Sequence, residues 1–171
     1  MDSHLYVDTI PCLQHIWFEN VAIGLFTNGN AVVPALCTPR TSIPESDECH
    51  RIPPPSTLST LLTLSLNAGD VGAQKPSMVP FIAISQLSGI EPSRILYIGD
   101  NYEHDVVAAK QANFHTALLC RGKRDTCKEK CFVDGVHPDI ILDSLCLDEF
   151  TAKIRNYIDK HEYLHSKESI I

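Results

Sequence analysis

The chain reads as an α/β protein with a mostly parallel sheet, and three features of its order predict this. Short apolar runs recur along the sequence, each run gives way to a polar loop, and stretches with helical spacing separate them. Runs that are apolar throughout, rather than alternating, suit strands covered on both faces. Ligands of such sheets bind beyond the carboxyl ends of the strands, so the loops after the runs are where functional side chains belong.

In chain order, Pro11 to Asn20 predicts a helix, and Ala22 to Phe26 predicts a strand that ends in Thr27-Asn28-Gly29-Asn30. Between Asn30 and Leu58 the prolines Pro34, Pro39, Pro44 and Pro53 to Pro55 lie among Ser and Thr, so residues 31–57 read as an irregular insertion. Leu61 to Leu66 predicts the next strand. Pro76 suits the first position of a helix running to about Gly89. Ile95 to Ile98 is a short buried strand followed at once by Gly99-Asp100. Asp105 opens a helical pattern through Val106, Val107, Ala109 and Ala112, closed at Asn113, which tolerates a left-handed cap. His115 to Leu119 reads as the last parallel strand. Asp148 to His161 reads as an amphipathic helix with Phe150, Ile154, Tyr157 and Ile158 on one face. The expected organisation is one partial core over residues 1–160 and a fraying tail over 161–171.

Four positions carry candidate chemistry. Thr27 puts a hydroxyl at a strand end beside amides freed by a Gly-containing turn, and Asn28 shares that turn; this is what a phosphate oxygen needs. Lys75 adds a fixed positive charge. Asp100 and Asp105, five residues apart, can converge on one hard cation, for which magnesium is the natural choice. Each piece alone has a plain structural reading, because Thr-Asn-Gly is an ordinary turn and Asp is a common cap.

Taken in order, the strand-end hydroxyl, the Lys75-Pro76 pair and Gly99-Asp100 with Asp105 resemble the second, third and fourth motifs of the haloacid dehalogenase (HAD) superfamily of phosphatases and hydrolases. The likeness runs from about Ile10 to the closing segment His137 to Leu145. It implies a Rossmann-like three-layer sandwich and an aspartyl-phosphate mechanism. Thr27, Asn28 and Lys75 would hold the phosphoryl group, with Lys75 also compensating transition-state charge, and Asp100 and Asp105 would hold Mg2+. The family's first motif, an apolar strand ending in Asp-x-Asp, has no counterpart before Thr27. The nearest candidate nucleophile is Asp8 in Leu5-Tyr-Val-Asp8-Thr9-Ile10, a segment that otherwise reads as a connector. The expectation is therefore an incomplete core without a cap domain, either an inactive or truncated phosphatase or a non-catalytic phosphate-binding relative. A phospho-receiver domain also combines acids, Thr and Lys, but its acid pair comes first in the chain, whereas here it comes last.

The 171 residues, 44% of them hydrophobic, suit a single core. A formal net charge of −7 argues against nucleic acid as a general partner and leaves a small phosphorylated metabolite as the expected one. The longest apolar segment, Leu58 to Leu66, is too short and hydroxyl-rich to span a bilayer, and no basic-plus-apolar leader opens the sequence, so a cytoplasmic location is expected. Seven cysteines are read mainly as reduced thiols; Cys120, Cys127 and Cys131 share a basic loop without a Cys-x2-Cys pair, and Cys49-His50 is the other conceivable metal contributor.

Overall fold

A computed structural model of the chain describes residues 5–29, 36–37, 57–122 and 135–168. These residues form two compact units, Met1–Glu91 and Pro92–Ile171, each built on its own open three-stranded sheet. The architecture is α/β with predominantly parallel pairing, as the apolar runs predict.

The first unit opens with helix α1, Thr9–Phe18. Pro11 falls in its first turn, where a missing N–H leaves no bond unmade. Leu13, Ile16 and Trp17 lie on one helical face and pack with Ile23 and Leu62. Asn20 ends the helix with φ 60°, its N–H bonded to the Trp17 carbonyl at 3.0 Å. Leu5 to Asp8 forms no strand; the Thr9 N–H bonds back to the Tyr6 carbonyl at 3.0 Å, a turn that feeds α1.

Strand β1, Gly24–Thr27, therefore takes Thr27 as its last residue. Within the span read as irregular, Leu36–Cys37 forms a two-residue strand β2, an apolar pair between Pro34 and Pro39. The expected strand from Leu61 is instead split. Leu58–Leu61 is a single helical turn, α2, because the Thr60 hydroxyl bonds the Thr57 carbonyl at 2.8 Å and bends the chain. Strand β3, Leu64–Asn67, then runs parallel to β1 in the register Gly24 to Leu64 through Thr27 to Asn67, and antiparallel to β2. Phe26, Leu64 and Leu66 form a buried cluster covered by Ala68, Val71 and Ile84.

Two further helices complete this unit: α3, Ala68–Val71, and α4, Val79–Ser88. The expected helix start at Pro76 is corrected, since it is Pro80 that lies in the first turn of α4 while Pro76 follows a cis peptide bond in the preceding loop. Gly89, with φ 66°, caps α4 where a β-carbon would be strained.

The second unit carries strands β4, Leu96–Gly99, β5, His115–Leu119, and β6, Ile140–Leu142, all parallel in the order β4-β5-β6. Between β4 and β5 a π-helical turn, Tyr102–Val107, leads into α5, Ala108–Gln111. Asp105 thus sits inside the helical segment rather than opening it, and Asn101 is the cap. Asn113 has φ 62°, the left-handed conformation expected of it. Tyr102, Val106, Leu118 and Cys120 form the buried cluster, and the Tyr102 hydroxyl donates to the Val136 carbonyl at 2.6 Å.

Asp139 ties this unit together. Its carboxylate accepts from the Lys110 ammonium at 2.6 Å and from the Thr116 N–H at 2.7 Å. Burial opposes its charge, yet the Lys110 and Thr116 contacts together hold its pKa below the ordinary value.

The final helix, α6, spans Leu147–Glu168, past His161 where fraying was expected; the sequence beyond His161 contains no Gly or Pro to stop it. Phe150 is buried, and Ile154 and Tyr157 are half-buried on its inner face, but Ile158 is exposed, because one further residue turns it about 100° away. No helix among the described residues is long and apolar enough to cross a membrane.

Candidate functional site

The predicted site residues fall into two groups, one in each unit. In the first unit, Thr27 closes β1, and the following turn folds back so that the Gly29 N–H donates to the Thr27 hydroxyl at 3.2 Å. The hydroxyl accepts this bond and keeps its own proton to donate. Asn28 is half-buried and uses both ends of its carboxamide on one residue. Its oxygen accepts the Lys75 N–H at 2.8 Å, and its NH2 donates to the Lys75 carbonyl at 2.9 Å. The sequence assigned Asn28 to phosphate; in the structure its carboxamide makes these two bonds to the Lys75 backbone. The Lys75 ammonium lies 5.9 Å from the centre of the Phe26 ring, within cation–π range.

Beside Thr27 in register stands Asn67, which the sequence reading passed over. Its side chain accepts from the N–H groups of Gly69 at 2.7 Å and Asp70 at 3.2 Å, while the Asp70 carboxylate accepts the Asn67 N–H at 2.8 Å. This reciprocal cap starts α3 and sets the direction of the chain toward Lys75. The signal was present as Asn-x-x-Asp directly after an apolar run.

In the second unit, the loop after β4 is closed on itself. Asp105 is 3% exposed, and its carboxylate accepts the Asn101 N–H at 2.9 Å. The Asp105 N–H returns to the Asn101 carbonyl at 2.8 Å, and the Asn101 side chain accepts the His104 N–H at 3.0 Å. The carboxylate rests against Gly99 so closely that a β-carbon there would fall 2.2 Å from the Asp105 Cγ. Asp100 lies on the outside of this closed loop and is exposed. Among the described residues no three His, Cys, Asp or Glu side chains gather in a way that could hold a metal ion. By donor chemistry a loop carboxylate suits Mg2+, which is ordinarily held by one or two carboxylates with water and phosphate completing its shell.

Asp8 stands immediately before α1, in helical conformation and without a side-chain capping bond. Near it the buried Cys12 thiol has its pKa pushed up to about 11, by burial first and by the Asp8 charge second, so it stays protonated and unreactive at neutral pH. Cys120 is buried in the second-unit core, whereas Cys127, Cys131, Cys49 and His50 lie outside the described residues.

Comparison with known proteins bears on the family and the fold. The HAD-hydrolase-like family model matches residues 72–147. The pyrophosphatase PpaX of Oceanobacillus iheyensis is 34% identical over 87 residues, covering 51% of this chain and 36% of that protein. The PpaX of Bacillus cereus is 30% identical over 90 residues, covering 53% of this chain and 39% of its own length. The match thus spans well under half of these relatives. Among solved structures, the 2-haloacid dehalogenase of Pseudomonas syringae superposes with a TM-score of 0.61 at 19% identity, over 92% of this chain and 54% of that one. The HAD phosphatase of Thermococcus onnurineus gives 0.56 at 20% identity, over 83% and 55%. Sequence and fold point the same way: over residues 72–147 the chain is similar to the haloacid dehalogenase-like hydrolases, and its fold resembles theirs.

Proposed function

We propose that this chain is a phosphoryl-binding member of the phosphatase branch, recognising a small phosphorylated metabolite through Thr27 and Lys75 and using Mg2+ at Asp100 and Asp105. The observation that carries the reading is the pair of hydrogen bonds between Asn28 and the Lys75 backbone, which brings a cationic residue to the strand end that bears the Thr27 hydroxyl. A hydroxyl donor, turn amides and an ammonium together suit the oxygens of a phosphoryl group. Asp100 and Asp105 would hold the ion, which supplies positive charge to phosphoryl chemistry when bound.

Attack on phosphorus needs a further carboxylate at a strand end. Between Met1 and Thr27 the sequence has no Asp-x-Asp, and Asp8 lies in a turn ahead of α1. The expected behaviour of this chain by itself is therefore binding without turnover, which also favours a second reading as a non-catalytic phosphate-binding relative. The names of the two bacterial relatives make inorganic pyrophosphate the first substrate to assay.

Thermal melting with inorganic phosphate or pyrophosphate, with and without Mg2+, tests the reading. A ligand at about 100 times its Kd should add about 2.7 kcal/mol and raise Tm by several degrees. Lys75→Ala should erase the whole shift and Asp100→Asn the Mg2+-dependent part. An unchanged Tm for the unaltered protein under all these conditions would sink the proposal, and turnover abolished by Asp8→Asn would show that a nucleophile is present after all.

A further inference from the structure

We propose that Asn28 is a positioning residue: it fixes where the Lys75 ammonium is presented and does not itself touch the phosphoryl group. The proposal rests on the reading of Thr27 and Lys75 as a phosphoryl site.

Three observations carry it. First, the Asn28 oxygen and NH2 are both engaged, at 2.8 and 2.9 Å, on the N–H and carbonyl of the same lysine. A carboxamide offers one acceptor and one donor side by side, the same spacing with which two facing antiparallel residues exchange both of their hydrogen bonds. Asn28 therefore acts as one extra rung of backbone pairing at the end of β1, joined to a residue 47 positions away.

Second, the other end of Lys75 is also referenced to β1, because its ammonium lies 5.9 Å from the Phe26 ring centre. Phe26 and Asn28 are two residues apart, and residues so spaced on an extended chain share a face. The lysine is thus held at its peptide and at its charge by the same short segment, and Thr27 is the residue between those two holding points.

Third, the backbone leading to Lys75 needs such an anchor. Gly72 is in the left-handed region at φ 72°, and between the end of α3 at Val71 and the start of α4 at Val79 the chain is in loop and turn conformation. A lysine side chain on an unanchored loop keeps its full rotamer freedom. Fixing its peptide restricts the volume its ammonium can reach.

The test is NMR on the full chain, free and titrated with inorganic phosphate. In the unaltered free protein the Lys75 amide proton should be protected from exchange, and the Asn28 NH2 protons should show contacts to Lys75. The Lys75 ε-methylene should be shifted by the Phe26 ring. An unprotected Lys75 amide, or Asn28 signals that appear only when phosphate is added, would overturn the proposal without any variant being made. Asn28→Ala should release the Lys75 amide to exchange and return its ε-methylene to a solvent-like position, while the Thr27 methyl stays where it was. Phosphate affinity should fall about tenfold, the equivalent of about 1.4 kcal/mol. Asn28→Asp keeps an acceptor for the Lys75 N–H and loses the donor, so protection should be partly retained. Ring-shifted Lys75 signals that survive Asn28→Ala would mean that Asn28 serves only fold stability, against the proposal. Absence of phosphate binding by the unaltered protein would instead strike at the site reading, and the free-state signals would still decide whether Asn28 holds Lys75.

Discussion

Two asparagines lie just beyond the ends of parallel strands, Asn28 after β1 and Asn101 after β4, and they organise their loops at opposite ranges. Asn28 bonds through its side chain to the backbone of Lys75, 47 residues on, so its loop exists only once β1 and the segment before α4 have come together. Asn101 exchanges its bonds within four residues, with His104 and Asp105, so its loop is specified by the chain around it. The lesson is that the candidate group of the first unit inherits its geometry from tertiary pairing and that of the second from local sequence. Damage to the first unit's packing should scatter Lys75, while Asp105 should answer chiefly to its own neighbours.

The strongest way to break this contrast is Gly99→Ala. The added β-carbon would fall 2.2 Å from the Asp105 Cγ and 2.4 Å from its Cβ, so the buried carboxylate has to leave. A loss of about 3 kcal/mol in urea unfolding is expected, with the Asn101 amide losing its exchange protection. A neutral result would mean that the loop is not locally closed. Next in size, Asp105→Ala removes the acceptor from the Asn101 N–H and should cost about 2 kcal/mol, whereas Asp105→Asn keeps a side-chain oxygen and should cost less. Equal losses would assign the effect to the carboxylate's charge rather than to a side-chain oxygen that fills the space and accepts the Asn101 N–H.

The smallest effect sharpens the contrast through a second local latch. Glu149 accepts the Asp143 N–H at 2.8 Å and the Ser144 hydroxyl at 2.9 Å, and pairs with Lys153 at 2.6 Å. Burial alone would raise its pKa, but the Asp143 N–H, Lys153 and Ser144 outweigh it and bring the carboxyl down to about 2 from an ordinary 4.5. With the folded pKa depressed, the stabilisation is present in full above the unfolded pKa and is lost as pH falls through the folded one. Urea midpoints should therefore decline from about pH 4.5 toward pH 2, and Glu149→Gln should flatten that decline at a cost of about 1 kcal/mol at neutral pH. An undiminished decline in the variant would place the acid sensitivity elsewhere.

How much of this was legible beforehand follows the same division. The strand ends at Thr27 and Gly99 were readable because short apolar runs stop at polar residues, and Asn113 because a left-handed cap favours Asn or Gly. Strand β6 was not singled out, although Ile140 to Leu142 is an apolar triplet bounded by Asp139 and Asp143. The strand expected from Leu61 begins only at Leu64 because periodicity does not delimit short apolar runs, and Leu61 ends a helical turn in which the Thr57 and Thr60 hydroxyls are bonded. The start of α4 was placed too early because Pro76 and Pro80 both satisfy the same local rule. The role of Asn28 was beyond local reading altogether, since its partner is separated from it by the whole span in which β3 forms.

The register of β1 against β3 has one more result. Thr27 faces Asn67 across adjoining strands, so the two strand ends are held at neighbouring rungs however many residues separate them. The entropy of closing a loop grows only with the logarithm of its length, about 0.6 kcal/mol for each doubling. The sequence distance between those rungs therefore matters little next to the pairing itself, and a substitution within Gly24–Thr27 or Leu64–Asn67 reaches both strand-end turns at once.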